Sequence, residues 1–159
     1  MSRRSKINLT EQEVADYLKT SRTIILVSNG AHGHPHPMPM WYALEDDTTI
    51  LMTTFRKSQK ISNLKRDPKV SLLVESGDAY QELKSVLLYG NAEVIDDLAR
   101  TTDVLYRVSQ HRGEIGDSAA GDDDAIRQGM QKSAEKRVVI RVNADKIVSW
   151  DHSKLGGTY

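Results

Sequence analysis

The stretch "TILMTTFRKSQKISNLKRDPKVSLLVE", Thr49 to Glu75, carries the plan of the fold. "TILMTTF" is apolar and rich in β-branched residues, which predicts a strand. The period then changes. Ile61 and Leu64 stand three residues apart, and Pro68 cannot continue a helix. A short helix from Ser58 to Asp67 follows from that spacing. "KVSLLVE" returns to strand character. A strand, a basic loop, one short helix and a second strand thus occupy 27 residues.

The same reading extends in both directions. "NLTEQEVADYLKT" is a helix whose Thr10 and Glu13 form a T-x-x-E capping box, with Val14, Tyr17 and Leu18 along one face. "TIILVSN", Thr23 to Asn29, is a strand. "HPMPMWYALE" predicts the next strand, with Met38, Met40, Tyr42 and Leu44 on one face and Trp41 and Ala43 on the other. With "TILMTTF" these predict an antiparallel meander. "SVLLYGNAEVI", Ser85 to Ile95, is a longer strand in which Gly90 marks a bulge or a close backbone approach. "DDLARTTDVLYRVSQHR" is helical, with Leu98, Val104, Leu105 and Val108 apolar. Gly113 to Asp124 is expected to be a mobile acidic loop, followed by a helix around Ala125 to Ala134. "KRVVIRVNADKIVSWD" predicts two final strands. The sum is a mostly β chain with short helices (α+β), six- or seven-stranded and antiparallel. So many short strands in one domain spanning residues 1–159 favour a closed or split barrel.

Composition narrows the function classes. The chain has 22 Lys+Arg and 22 Asp+Glu, for a net charge of +0. Such a balance argues against a general nucleic-acid partner, which needs phosphate neutralisation. The absence of cysteine excludes disulfides, thiolate metal sites and a Cys nucleophile. "MSRRSKINLTEQEV" has no apolar core of a signal peptide, and no run approaches a membrane span of about 20 apolar residues. The expectation is a cytoplasmic protein without a membrane partner.

His32, His34 and His36 alternate in "AHGHPHP", but Gly33 and Pro35 make the segment a turn, and no metal site is expected. No G-x-S-x-G or H-E-x-x-H motif is present. The basic loop is the remaining candidate. Thr53 and Thr54 end a strand, Arg56 and Lys57 lie in the loop, Ser58 suits an N-cap and Lys60 falls in the first helical turn. A cation there opposes the helix dipole unless an anion is bound. Two readings stand on the residues alone: a cradle for one phosphate, or a solvated basic helix face. Lys65, Arg66 and Lys69 read as solvated charge.

The run from Thr49 to Glu75, followed by "SVLLYGNAEVI", resembles the pyridoxamine 5'-phosphate oxidase-like split barrels, and within them the flavin/deazaflavin-dependent oxidoreductase B group. Asn63 to Pro68 fills the N-x-x-x-x-P place of that pattern, and Gly90 to Glu93 the Gly-x-A-E place. The resemblance is close from about residue 10 to 95 and holds only in outline thereafter. It implies an FMN-binding split barrel and an oxidoreductase transferring hydride between FMN or coenzyme F-420 and a small organic substrate. A non-catalytic flavin-binding protein of the same fold is the alternative. By position, Thr53, Thr54, Ser58 and Lys60 match residues that hold the cofactor phosphate, with Arg56 and Lys57 as added cations. Met38, Pro39, Met40 and Trp41 match the strand along the ring, and Ser85 a polar position near it. The resemblance also implies a homodimer with the cofactor at the subunit interface. The oxidase itself has an Arg and a Lys on the ring strand where this chain has Met38 and Ala43. Its C-terminal Trp and Arg are not reproduced in "SWDHSKLGGTY". Both departures argue against pyridoxamine-phosphate oxidation. Surplus cations, Arg56, Lys57 and Lys65, favour the anionic tail of coenzyme F-420 slightly over FMN. No catalytic side chain is assigned. Tyr42 and His36 are the nearest proton donors by strand position, and both read better as structural.

Overall fold

The computed structural model describes residues 3–115 and 123–156. The expected mobile loop therefore falls mostly outside the described residues. The chain runs α1 (Arg3–Lys6), α2 (Glu11–Thr20), β1 (Thr23–Asn29), β2 (Pro35–Trp41), β3 (Ala43–Leu44), β4 (Thr49–Phe55) and α3 (Gln59–Arg66). It continues as β5 (Lys69–Ser76), β6 (Lys84–Ile95), α4 (Leu98–His111), α5 (Asp123–Ala134) and β7 (Arg137–Asp151). Short 3₁₀ turns cover Tyr80–Glu82 and His152–Leu155. The capping box at Thr10 is present: Thr10 Oγ1 accepts from the Glu13 N–H at 3.2 Å, and Glu13 Oε2 accepts from the Thr10 N–H at 2.7 Å.

All seven strands join one antiparallel sheet in the order β2-β1-β5-β6-β7-β4-β3. Both pairings of the expected meander form, but its middle strand is split in two at Tyr42. β2 pairs with β1, whereas β3 pairs with β4 at the far edge of the sheet. Only Tyr42 separates β2 from β3. One residue spans about 3.5 Å, so the sheet must curl until its two edges meet at Tyr42. That closure defines a split barrel. Tyr42 is fully buried at the junction, and its hydroxyl donates to the Leu18 carbonyl at 2.6 Å. Strand periodicity alone carries Tyr42 through as a continuous strand residue, because the alternation of sides does not register a change of sheet edge.

β2 is an edge strand containing Pro35, Pro37 and Pro39 at alternate positions. Proline has no N–H, so these residues take the positions whose donors would point away from β1. The outer edge is thereby denuded of donors and protected against pairing with a foreign strand.

The C-terminal strand is single, not two. β6 pairs with β7 from Lys84↔Asp151 to Ile95↔Val139, with a register shift between Tyr89 and Gly90. The "NAD" triplet that reads as a turn is a bulge: Tyr89 faces Lys146 and Gly90 faces Ala144, leaving Asp145 as the extra residue. β7 bends there, and only its first half, Arg137 to Asn143, reaches β4.

Two cores result. The barrel interior holds Ile24, Leu26, Met52, Leu72, Leu88 and Ile140, plugged by Val14 and Leu18 of α2 and by Ile61 and Leu64 of α3. The second lies on the other face of β3, β4 and β7, where Ala43, Leu51 and Val139 meet Val104 and Val108 of α4. The parity of β4 sorts its residues accordingly. Ile50 and Met52 face the barrel, while Leu51 faces α4.

Candidate functional site

The helix α3 is docked by its buried Ile61 and Leu64 and by a polar lock at Asn63. Asn63 is fully buried; its Nδ2 donates to Ser28 Oγ at 3.1 Å, and its Oδ1 accepts from Gln59 Nε2 at 3.0 Å. At the other end of the Asn63–Pro68 segment, Asp67 accepts from Asn29 Nδ2 at 2.8 Å and from the Lys69 N–H at 3.1 Å. These bonds fix α3 against the end of β1, while the Ser58 N–H donates to the Phe55 carbonyl at 3.0 Å and sets the start of α3 beside the end of β4.

Lys60, Thr54 and Ser58 meet at that junction. Lys60 Nζ donates to Thr54 Oγ1 at 3.2 Å, and Thr54 Oγ1 lies 3.3 Å from Ser58 Oγ. Lys60 is 8% exposed and Thr54 5%. Among the described residues no carboxylate pairs with Lys60, and its burial holds the ammonium below the ordinary lysine range. Ser58 occupies the N-cap position with extended backbone, φ −72° and ψ 151°, yet its side chain makes no capping bond. Its hydroxyl turns to Thr54 instead. The N–H groups of Gln59 and Lys60 have no acceptor among the described residues. A buried cation without a counter-charge, two hydroxyls and free first-turn donors together suit a tetrahedral oxyanion.

A cavity of about 520 Å³ adjoins this junction. Pro39, Met40 and Trp41 of β2 form one wall, and Thr53, Thr54 and Phe55 of β4 form another. Leu105 and Val108 of α4 and its C-cap Arg112 roof it, and Arg137 of β7 completes it. The cavity therefore lies where the two sheet edges approach. Pro39 and Trp41 are exposed and Met38 and Met40 half-buried, as alternation on β2 requires. Five of the eleven residues expected from sequence, Pro39, Met40, Trp41, Thr53 and Thr54, line this one cavity, and Ser58 and Lys60 bond to its Thr54.

The others stand elsewhere. Arg56 forms a two-pronged pair with Asp96, at 2.9 and 2.7 Å, and also donates to the Glu135 carbonyl at 2.9 Å. Each partner shifts the other: Asp96 is held below the usual carboxylate range, and Arg56 above its own. Arg56 thus ties its loop to the ends of β6 and α5. Lys57 is exposed in the turn. Ser85 is buried, its hydroxyl donating to the Val74 carbonyl at 2.9 Å. It pairs with Trp150, whereas Ile95 at the cradle end of β6 pairs with Val139. Ten residues separate Ser85 from Ile95, roughly 33 Å along the strand. Of the two nearest proton donors, Tyr42 is committed to Leu18, and His36 lies half-buried in β2 with no partner for Nδ1 among the described residues. Sequence reading missed the α4 roof and Arg137. Leu105 and Val108 carry only the signal of a helix's apolar face, which a core position gives equally.

The family model for pyridoxamine 5'-phosphate oxidase matches residues 10–151. Among solved structures, a conserved hypothetical protein of Mycobacterium tuberculosis is 37% identical with a TM-score of 0.84, covering 100% of this chain and 95% of its own. An F-420 reductase is 20% identical with a TM-score of 0.62, over 84% of this chain and 94% of its own. A FAD-binding protein of Mesorhizobium loti is 20% identical with a TM-score of 0.64, over 89% and 94%. The last two likenesses establish the fold alone. No curated protein matches the chain. No helix among the described residues is long and apolar enough to cross a membrane. A match over nearly the whole sheet, from the capping box at Thr10 to the end of β7, places this chain in the pyridoxamine 5'-phosphate oxidase family.

Proposed function

We propose that the protein is an oxidoreductase that binds FMN or coenzyme F-420 in the groove between β2 and β4. The observation that carries this reading is Lys60, a buried cation with no carboxylate partner, bonded to Thr54 beside an apolar cleft. When bound, the flavin or deazaflavin ring supplies the hydride chemistry. Lys60, Thr54, Ser58 and the free N–H groups of α3 hold the phosphate. Pro39, Met40 and Trp41, with Met38 beside them on β2, would line the ring, and the α4 roof would limit water. Met38 and Ala43 stand where the oxidase of this family carries its Arg and Lys, which argues against pyridoxamine phosphate as the substrate. With Arg56 engaged by Asp96, Lys57 and Lys65, neither of them in a salt bridge among the described residues, would meet an anionic cofactor tail.

Fluorescence titration of both cofactors tests this. Ser58→Ala removes one hydroxyl to a charged acceptor and is expected to weaken either cofactor by about tenfold. Unchanged affinity would remove Ser58 from the site. Turnover of an enone or quinone by the reduced cofactor then distinguishes an enzyme from a carrier.

The functional unit is a homodimer in this reading. Across the outer face of the sheet, Pro39, Ile25, Leu73, Leu87 and Val148 lie in one register row over five strands. Tyr89 beside them is 40% exposed. Such an aligned apolar row suits a second copy of the chain. Ser85 and Trp150 lie on the same face, one row on, which gives Ser85 a route to the partner's cofactor. Leu87→Asp is expected to raise the dimer dissociation constant at least about tenfold, measured by sedimentation. A wild-type chain that sediments as a monomer overturns this assignment.

A further inference from the structure

The phosphate cradle and the ring strand leave two guanidinium groups of the same groove without a role. The Arg112 Cζ stands over Trp41, 3.3 Å from the ring centroid, and that of Arg137 over Phe55 at 4.2 Å. Both rings are more than half exposed, at 52% and 54%. Arg112 is ion-paired with Glu114 at 2.6 Å. Arg137 is not paired with any carboxylate among the described residues; its polar side-chain contact is a long one, Nε to Ser133 Oγ at 3.4 Å. Stacking occupies the face of a guanidinium and leaves its in-plane N–H donors available. Those donors match a carboxylate in a two-pronged geometry. Between them the groove is walled by Pro39, Met40, Leu105 and Val108, which are apolar. Its volume falls within the roughly 300–1,000 Å³ usual for small-molecule sites.

We propose that Arg137 on its Phe55 shelf, assisted by Arg112 on Trp41, is a carboxylate-binding subsite that selects a flat, conjugated carboxylic acid as the substrate. The assignment rests on the groove being the cofactor-and-substrate site. Apolar walls accept the conjugated body, and the guanidinium fork takes the anionic end. Arg137 is a specificity residue in this scheme, since hydride transfer needs no group from it. The orientation of Arg137 is secured through the backbone as well, because its carbonyl accepts from Arg56 at 3.4 Å and its strand partner is Phe55. Replacing the side chain leaves both of those features in place. A carboxylate also occurs in the oligoglutamate tail of coenzyme F-420, and the test separates that source from a substrate.

The probes are 2-naphthoate and cinnamate, each compared with its neutral amide, titrated into the full chain without added cofactor. The wild-type protein is expected to bind the acids at least about tenfold more tightly than the amides. Arg137→Met abolishes that preference, and Phe55→Leu reduces it. Arg137→Lys keeps the charge without the fork and retains only part of the preference, which preserves the test if the Met variant does not fold. An acid preference that is lost in Lys60→Met but kept in Arg137→Met would place the carboxylate in the phosphate cradle and overturn the subsite, so the two readings fail separately. The proposal is overturned if the wild type binds acid and amide equally, or binds neither. It is also overturned if Arg137→Met weakens coenzyme F-420 about tenfold, spares the deazaflavin lacking the tail and leaves naphthoate binding unchanged, because Arg137 then reads the cofactor.

Discussion

Lys60→Met is expected to weaken FMN and coenzyme F-420 by about 100-fold, or ~3 kcal/mol, the upper range for hydrogen bonds to charged groups. The large value follows from burial: solvent cannot replace the lost ammonium beside Thr54 and Ser58. The same burial predicts an opposite effect on the free protein. Desolvation holds the Lys60 pKa below its ordinary value, so the folded state binds this proton less readily than the unfolded state. The resulting stability cost is fully present below the folded pKa. It is relieved as pH rises from that value towards the unfolded one. At neutral pH, therefore, the cofactor-free Lys60→Met protein melts no lower than wild type, and its advantage shrinks in alkali. Cofactor affinity moves the other way. The phosphate needs the charged amine, so wild-type affinity falls in alkali at a lower pH than an ordinary lysine would give, while Lys60→Met shows no such fall. Equilibrium titration across pH, paired with thermal melts of the cofactor-free protein, reads both signs. A variant that melts lower and binds normally would show Lys60 to be a structural residue.

The junction of β4 and α3 was legible in the sequence because its signals are local. Pro68 stops the helix, Ile61 and Leu64 set its buried face, and Ser58 and Lys60 are placed by counting from that stop. The hydroxyl of Ser58 behaves differently from the expectation of an N-cap, since it serves Thr54 rather than its own helix. That choice depends on a tertiary neighbour. The strand elements were legible too, but not their order. β2 and β3 alternate as one strand, and their placement at opposite edges is fixed by long-range pairing with β1 and β4. The break at "NAD" is likewise invisible locally, because three turn-forming residues in a bulge look the same as three in a hairpin. The ion pair of Arg56 was illegible for a similar reason. Its partner Asp96 is 40 residues away, and a free cation differs from a paired one only in three dimensions.

Gly90→Ala is expected to destabilise the protein by about 3 kcal/mol, near the upper range for overpacking, lowering the melting temperature by roughly 6–12 °C. The reason is a close approach of two backbones. A Cβ at Gly90 would stand 2.4 Å from the Asn143 carbonyl oxygen and 3.2 Å from Val142 Cγ1. A flexible side chain can withdraw from such a clash, but a ladder carbonyl cannot move without its strand. Gly90 is also the point where β6 and β7 change register. Separating the strands there would straighten the bend that lets β7 serve β6 along its length and β4 along its first half. Arg137, at the start of that half, would then lose its register against Phe55. The variant should therefore lose thermal stability and, with it, the acid-over-amide preference at Arg137, even though Gly90 lies outside the groove. Asn91→Ala supplies the control. It removes only the exposed 3.1 Å bond from Asn91 Nδ2 to Asp145 at the same bulge and should cost no more than about 1 kcal/mol. If Gly90→Ala melts within a degree of wild type, the bulge tolerates a side chain and does not set the course of β7.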